Sequence, residues 1–264
     1  MKAPNRSIIK IICLVILSTN AGRPAQAQPL MLADSSTDLK GFLTKIRQAY
    51  GNATYLQFRL TYRYANERQP DQYLDSLSGE VEMDRGRSRT VLDGMETVLN
   101  DRYIIQIMPE DKAIYLAAAH AAVNHSATVQ NPLPMLDSLF AHVEGIRTSV
   151  ERREGSDILT LILPAGEPYS KMRMTIDDRT GYFREVEYSL NTASLVGEEM
   201  IDRPGHPGPY QSRGQIQIVF SDYRHGQFDD HLFSEDNFFT RVDGRYQPAG
   251  RYKNYHLYLA SSNL

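Results

Sequence analysis

Residues 55–64 constrain the fold more than any other stretch of the chain. Leu56, Phe58, Leu60, Tyr62 and Tyr64 alternate without a break with Gln57, Arg59, Thr61 and Arg63. A period of two sends successive side chains to opposite faces of a strand. A long strand with one apolar and one polar face belongs to an antiparallel sheet with one side buried. Just upstream the period is 3.6. Leu39, Phe42, Leu43, Ile46, Ala49 and Tyr50 predict an amphipathic helix, with Ser36 or Thr37 as cap and Gly51-Asn52 as its end.

Shorter strands follow over 76–83, 89–92, 96–99, 102–108 and 113–117. Arg85-Gly86, Asp93-Gly94, Asn100-Asp101 and Pro109-Glu110-Asp111 mark the turns of a β-meander. Residues 118–129 are weakly patterned. Residues 132–143 predict a second helix, with Leu136, Leu139, Phe140 and Val143 on one side. Strands resume over 144–153, 157–163, 171–177, 183–190 and 214–223, and segments 238–242 and 252–258 close the chain. Segment 193–212 contains Pro204-Gly-His-Pro-Gly-Pro209 and is expected to be a long irregular loop. The expected fold class is mainly β with α: a single curved antiparallel sheet, an open half-barrel, whose concave apolar face is covered by the two helices. No linker or repeat divides residues 28–264, which are expected to form one domain.

Residues 1–27 are expected to be a secretory signal peptide. Lys2, Arg6 and Lys10 precede the apolar core of residues 11–17, and Ala25-Gln26-Ala27 is a small-residue cleavage signature. That core is far shorter than the roughly 20 residues that span a bilayer. Cleavage after Ala27 places the mature protein in the periplasm. The only cysteine, Cys13, leaves with the leader, so about 237 residues must be stabilised by their core rather than by disulfides. The whole chain carries a formal charge of −3. The leader holds four basic residues and no acidic ones, so the mature chain carries about −7. Nucleic acid is a poor electrostatic partner for it.

Motifs for chemistry are scarce. The seven histidines form no His-Glu-x-x-His pattern, and no Gly-x-Ser-x-Gly elbow or phosphate-cradling glycine loop is present. His225 and His231 with Asp222, Asp229 and Asp230 could form a metal or hydrolytic cluster, and the carboxylate pairs Glu198-Glu199 and Asp229-Asp230 could serve acid–base chemistry, but solvated loop segments explain both as well. No cofactor and no catalytic residue is expected. The two short tripeptides Asp75-Ser-Leu77 and Asp137-Ser-Leu139 resemble bacterial O-glycosylation sites.

The productive signal is an apolar face that recurs from strand to strand. Its candidate lining positions are Leu56, Phe58, Leu60 and Tyr62, then Val81 and Met83, then Met172, Met174 and Ile176. Val186, Tyr188, Ile216, Ile218 and Phe220 follow, with Met135, Leu139 and Phe140 on the covering helix. Alternation alone reads these either as ordinary core or as the lining of a cavity for a lipid-like ligand. Methionine suits such a lining because its thioether adapts to varied shapes.

The order of elements resembles the LolA/LolB-like half-barrel superfamily, known for periplasmic lipoprotein carriers. The resemblance rests on the helix leading into Tyr55-Leu-Gln-Phe58, on Leu77-Ser-Gly-Glu-Val-Glu-Met83 and on the strand in 100–107. It also rests on Met174-Thr-Ile-Asp177 with Thr180-Gly181, on 214–223, and on Leu232-Phe233. It implies a binder or carrier of a hydrophobic ligand, lipoprotein acyl chains or lipid, without covalent catalysis. It leaves open an envelope interaction or sensor module on the same fold, scaffolding a complex with a membrane-protein partner.

Overall fold

The computed structural model describes residues 36–51, 53–119, 136, 139–141, 143–167, 169–227 and 229–261. The leader, Met135, His120, His125 and His142 lie outside these residues.

Fourteen strands are named among the described residues, and twelve form one sheet. In chain order they are β1 (Leu56–Asn66), β2 (Tyr73–Asp84), β3 (Arg87–Leu92), β4 (Met95–Leu99), β5 (Tyr103–Met108) and β6 (Ala113–Ala118). Then come β7 (Arg147–Arg153), β8 (Ser156–Ile162), β9 (Tyr169–Asp177), β10 (Phe183–Asn191) and β11 (Arg213–His225). β12 (Phe239–Val242) and β13 (Arg245–Pro248) pair as a separate ribbon, and β14 (His256–Leu259) returns to the large sheet. The strand order is β14-β6-β5-β4-β3-β2-β1-β11-β10-β9-β8-β7. β14 and β7 are the two edges, so the sheet is unclosed and no barrel forms. One pairing differs from the antiparallel expectation: β14 runs parallel to β6. β14 satisfies the β6 edge, with the His256 N–H donating to the Lys112 carbonyl and the Ala260 N–H to that of Leu116.

The contacts gather into two compact units. One comprises the described residues within 1–50, 61–77 and 127–220, and the other those within 51–60, 78–126 and 221–264. Strands β1, β2 and β11 run through both.

In the first unit the helix α1 (Ser36–Gly51) lies on the β8–β10 side of the sheet. Its apolar stripe of Leu39, Phe42, Ile46 and Tyr50 is buried. The Lys45 ammonium reaches the Asp157 carboxylate on β8 at 2.5 Å, and the Tyr50 hydroxyl accepts the Phe183 N–H at 3.2 Å. Gly181, at φ +73°, lets the β9–β10 turn press against α1: a Cβ there would fall 2.9 Å from the Lys45 carbonyl oxygen. Residues 136 and 139–141 are helical, and Leu136 is buried. The rest of the expected second helix lies outside the described residues. The expected loop 193–212 begins with a single turn, α2 (Ala193–Val196), and a 3₁₀ turn (Glu198–Met200), followed by isolated bridges Ile201–Tyr210 and Arg203–His206.

Tyr64, fully buried, lies over Gly214, and its hydroxyl is 2.9 Å from Thr192 Oγ1. A Cβ at 214 would sit 2.3 Å from the Tyr64 oxygen. Gly41 in α1 has nothing within 4 Å of its virtual Cβ. The two glycines therefore have opposite expected outcomes in urea or thermal unfolding. Gly41→Ala raises stability by about 0.5–1 kcal/mol through helix propensity. Gly214→Val lowers it by more than about 2 kcal/mol, because Tyr64 must leave its place. An unchanged midpoint for Gly214→Val would show that the Tyr64 ring has room to move.

Candidate ligand-binding face

The sequence-predicted lining residues fall into both units. In the first, the β9–β10–β11 register sets Met172 opposite Tyr188 and Tyr188 opposite Ile216. It likewise sets Met174 opposite Val186 and Val186 opposite Ile218. Opposed residues share a face, so these side chains form one apolar surface, continued by Ile176. Tyr62 and Phe220, on the flanking strands, are buried as well. This is the side that α1 packs on, and every one of these nine residues is at most 8% exposed. Burial raises the Tyr188 phenol well above its ordinary value, with a further push from Tyr169. Leu139 and Phe140 are half-buried. The opposite side of these strands is polar, with Arg63 and the Tyr73 hydroxyl both donating to Gln217 Oε1.

In the second unit, residues 56–60 of β1, 78–84 of β2 and all of β3 to β6 present two contrasting faces. Register fixes which residue lies on which. Glu82 opposes Arg89, Arg89 opposes Val98, Val98 opposes Ile105 and Ile105 opposes Leu116. Phe233, Phe238, Phe239 and Tyr252 from the C-terminal segment pack on this face, forming one cluster with Val98, Ile105, Ile107, Ile114 and Leu116. Its charged residues pair with each other. Arg89 donates to Glu82 at 2.8 Å and to Glu96 at 2.6 Å, while Arg251 and the Tyr252 hydroxyl both reach Glu96 at 3.0 Å. Burial acts to lower the pKa of Arg89, yet the hydrogen bonds to both carboxylates raise it on balance. Burial, together with the Glu96 charge, pushes the Tyr252 phenol up to about 12.

The other face is built differently. Arg59 pairs with Glu80 at 3.3 Å on the charged side, so Phe58 and Leu60 point the opposite way, with Val81 and Met83. Leu56, Phe58, Leu60 and Val81 are buried and Met83 is half-buried. One rung of this face carries Met83, Ser88, Leu99, Ile104 and Ala117. Another carries Leu92, Met95, Met108 and Ala113. Met83, Met95, Leu99, Ile104 and Met108 are all half-buried. Between these rungs lies a third, Val81–Thr90–Thr97–Gln106–Tyr115, and Tyr258 of β14 stacks on Tyr115 with ring centroids 5.2 Å apart. From residue 79 to residue 117 no charged side chain of β2–β6 points to this side. Sequence reading missed Met95, Leu99, Ile104 and Met108. Parity carried through the turns at Asp93-Gly94 and Asn100-Asp101 is the signal that places them.

A groove of about 500 Å³ in this unit is lined by Arg87, Asn100, Arg102, Asp230, Phe233 and Glu235 among others. It is polar and both of its arginines are paired: Arg87 bonds to Asp84 and Asp230, and Arg102 to Glu235. Among the described residues no group of three or more His, Cys, Asp or Glu side chains is arranged to hold a metal, His225 and His231 included.

No family model and no curated protein matches the chain. Solved structures of similar architecture exist. An uncharacterized conserved protein from Thermus thermophilus is 9% identical, covering 84% of this chain and 99% of its own, with a TM-score of 0.45. A LolA superfamily protein from Nitrosomonas europaea is 14% identical, covering 75% and 97%, with a TM-score of 0.34. The lipoprotein LppX from Mycobacterium tuberculosis is 14% identical, covering 72% and 99%, with a TM-score of 0.38.

The buried phenols set an alkaline limit on stability. Tyr64 and Tyr252 both titrate near 12 in the folded protein, against an ordinary 10. Between those values the folded state holds protons that the unfolded state has lost. Stability from these groups is complete below pH 10 and disappears as pH rises towards 12. The urea midpoint is expected to fall across that window, and Tyr252→Phe to make the fall shallower. An equal slope in the variant would show that Tyr252 ionises as freely folded as unfolded.

Proposed function

We propose that the protein binds a hydrophobic ligand, the acyl chains of a lipid or lipoprotein, on the uncharged face of β2–β6, and that it does so in the periplasm without covalent chemistry. The observation that carries this reading is the asymmetry of the second unit. One face of its strands is closed by the C-terminal aromatic segment, while the other keeps Met83, Met95, Leu99, Ile104 and Met108 half-buried on adjacent strands. Flexible thioethers beside branched aliphatics make an adaptable apolar surface. Burying an acyl chain there contributes about 0.8 kcal/mol per methylene, so a long chain needs no other contact for retention.

Of the sequence-predicted lining, Leu56, Phe58, Leu60, Val81 and Met83 belong to this face. The remainder, Tyr62, Met172, Met174, Ile176, Val186, Tyr188, Ile216, Ile218 and Phe220, belongs to the surface on which α1 packs. In the first unit a ligand reaches those residues only when α1 leaves, breaking the Lys45–Asp157 pair and the Tyr50–Phe183 hydrogen bond. Met135, Leu139 and Phe140 are assigned to a cover of the same kind.

Native mass spectrometry of protein isolated from a periplasmic fraction, with organic extraction, tests the class of ligand. A fluorescent fatty-acyl probe tests the place. Wild type is expected to bind the probe. Ile104→Glu, which sets a charge on the half-buried face, is expected to weaken binding more than tenfold while circular dichroism stays unchanged. Arg68→Glu, in an exposed loop, leaves binding as it was. Probe affinity equal to wild type in Ile104→Glu would remove this face as the site.

A further inference from the structure

We propose that the tip of the β12–β13 ribbon docks on the surface of an anionic lipid bilayer, through the charges of Arg241 and Arg245 and an apolar contact by Val242. The inference stands apart from the acyl-binding reading, since it concerns a different element of the second unit and a different partner.

The ribbon is a two-stranded hairpin outside the large sheet. Its base is anchored: Phe239 is buried in the aromatic cluster, and Tyr246 meets both Phe239 and Tyr103 edge-on. Its tip is free of packing, and all of residues 240–245 are exposed. Asp243 and Gly244 form the two-residue turn, at φ +49° and +78°. Opposed residues share a face, so Val242 and Arg245 stand together on one side, with Arg241 and Tyr246 on the other. Val242 is 47% exposed although it lies beside charged groups. The Arg241 guanidinium lies over the Tyr246 ring, and among the described residues neither Arg241 nor Arg245 has a carboxylate partner. In this they differ from Arg87, Arg89, Arg102 and Arg251 of the same unit, each of which is ion-paired.

Charge identifies the partner as anionic. Beyond Asp236 the chain carries Arg241, Arg245, Arg251 and Lys253 against Asp243 alone. This is a local positive excess on a mature chain of about −7. Size then separates a bilayer from an acidic protein. A stable protein–protein interface needs about 20–30 residues from each partner, and a six-residue hairpin tip is far smaller. A leaflet asks less. Each basic residue brought near an anionic surface strengthens binding about fivefold, and an apolar side chain beside it enters the headgroup boundary. Approached end-on, the ribbon brings both guanidiniums and Val242 to one surface. Docking of this kind is reversible and weakens with salt, because the charges remain solvated.

The test is flotation of the mature protein with vesicles of phosphatidylcholine alone, or of phosphatidylcholine and phosphatidylglycerol at about 7:3. Wild type is expected to bind the anionic vesicles at least tenfold more tightly than the neutral ones in low salt, and to leave them in about 0.5 M NaCl. Arg241→Glu with Arg245→Glu is expected to weaken that binding more than tenfold with circular dichroism unchanged. Lys40→Glu with Arg179→Glu, exposed positions of the first unit, makes the same change in net charge and is expected to keep most of the affinity. Cys13 is the only cysteine and lies in the leader, so Val242→Cys gives the mature protein a single thiol for an environment-sensitive fluorophore. Its emission is expected to shift to the blue on anionic vesicles only. Equal binding to both vesicle types, or to neither, overturns the proposal, and so does a fluorophore that stays in water on bound protein. Loss of binding in both double variants alike overturns the assignment to the hairpin. Binding of polyglutamate by a protein that ignores the vesicles shows an acidic polypeptide to be the partner and overturns the bilayer. The acyl-binding reading is untouched by these outcomes, because it is decided by the fatty-acyl probe.

Discussion

An unclosed sheet has two faces and two edges, and the chain must deal with each. Hydrophobic burial drives the first task, since an apolar sheet face left in water forfeits about 25 cal/mol for every Å² not covered. The first unit covers the apolar side of β8–β10 with α1, locked by Lys45 on Asp157 and Tyr50 on the Phe183 backbone. The second unit covers the Val98–Leu116 side with Phe233, Phe238, Phe239 and Tyr252. The edges are handled by composition and length. β7 is largely exposed and carries Arg147, Glu151, Arg152 and Arg153, and β14 is four residues long. Charge and brevity both discourage pairing with another chain.

Each unit closes one apolar surface with its own elements, and in the second unit the opposite face keeps several apolar side chains half-buried. Met95, Leu99, Ile104 and Met108 sit on strands whose other face is completely filled. These strands cannot rotate to hide them: shifting any one by a residue would drive Val98 or Ile105 outward and set Thr97 or Gln106 into the aromatic cluster. The aromatic-covered face thus fixes the composition of the other. The charged network of Arg89, Glu82 and Glu96 helps hold that register, since these groups find their partners across the strands as they are paired, and Arg251 of a 3₁₀ turn adds a second cation on Glu96.

Much of this was legible in the sequence where a signal repeats. Five apolar residues in strict alternation fixed β1, and α1 followed from its 3.6-residue stripe. Gly-containing turns such as Arg85-Gly86 and Asp93-Gly94 marked the meander, and both glycines adopt positive φ. The signal failed at β13, whose four residues leave two per face and no period to detect. The parallel pairing of β14 with β6 joins segments more than a hundred residues apart, which no local pattern encodes. Asp222, at φ +56°, interrupts the alternation of β11. Beyond that point Tyr223 rather than a residue of even number meets Phe58, with ring centroids 5.1 Å apart.

The same limit explains why the predicted lining favours the deeply buried residues. Long strands advertise their apolar face, and the longest runs of alternation, in β1, β9, β10 and β11, supplied most of the predicted positions. Those are the surfaces the protein covers most completely, because strong alternation is what a packed core requires. The half-buried face of β3–β5 reads more weakly. It mixes Met and Leu with Thr and Gln, and on strands of five or six residues that mixture looks like noise. Read through the register of β3, β4 and β5 it becomes ordered: hydrocarbon, neutral polar, hydrocarbon, rung by rung.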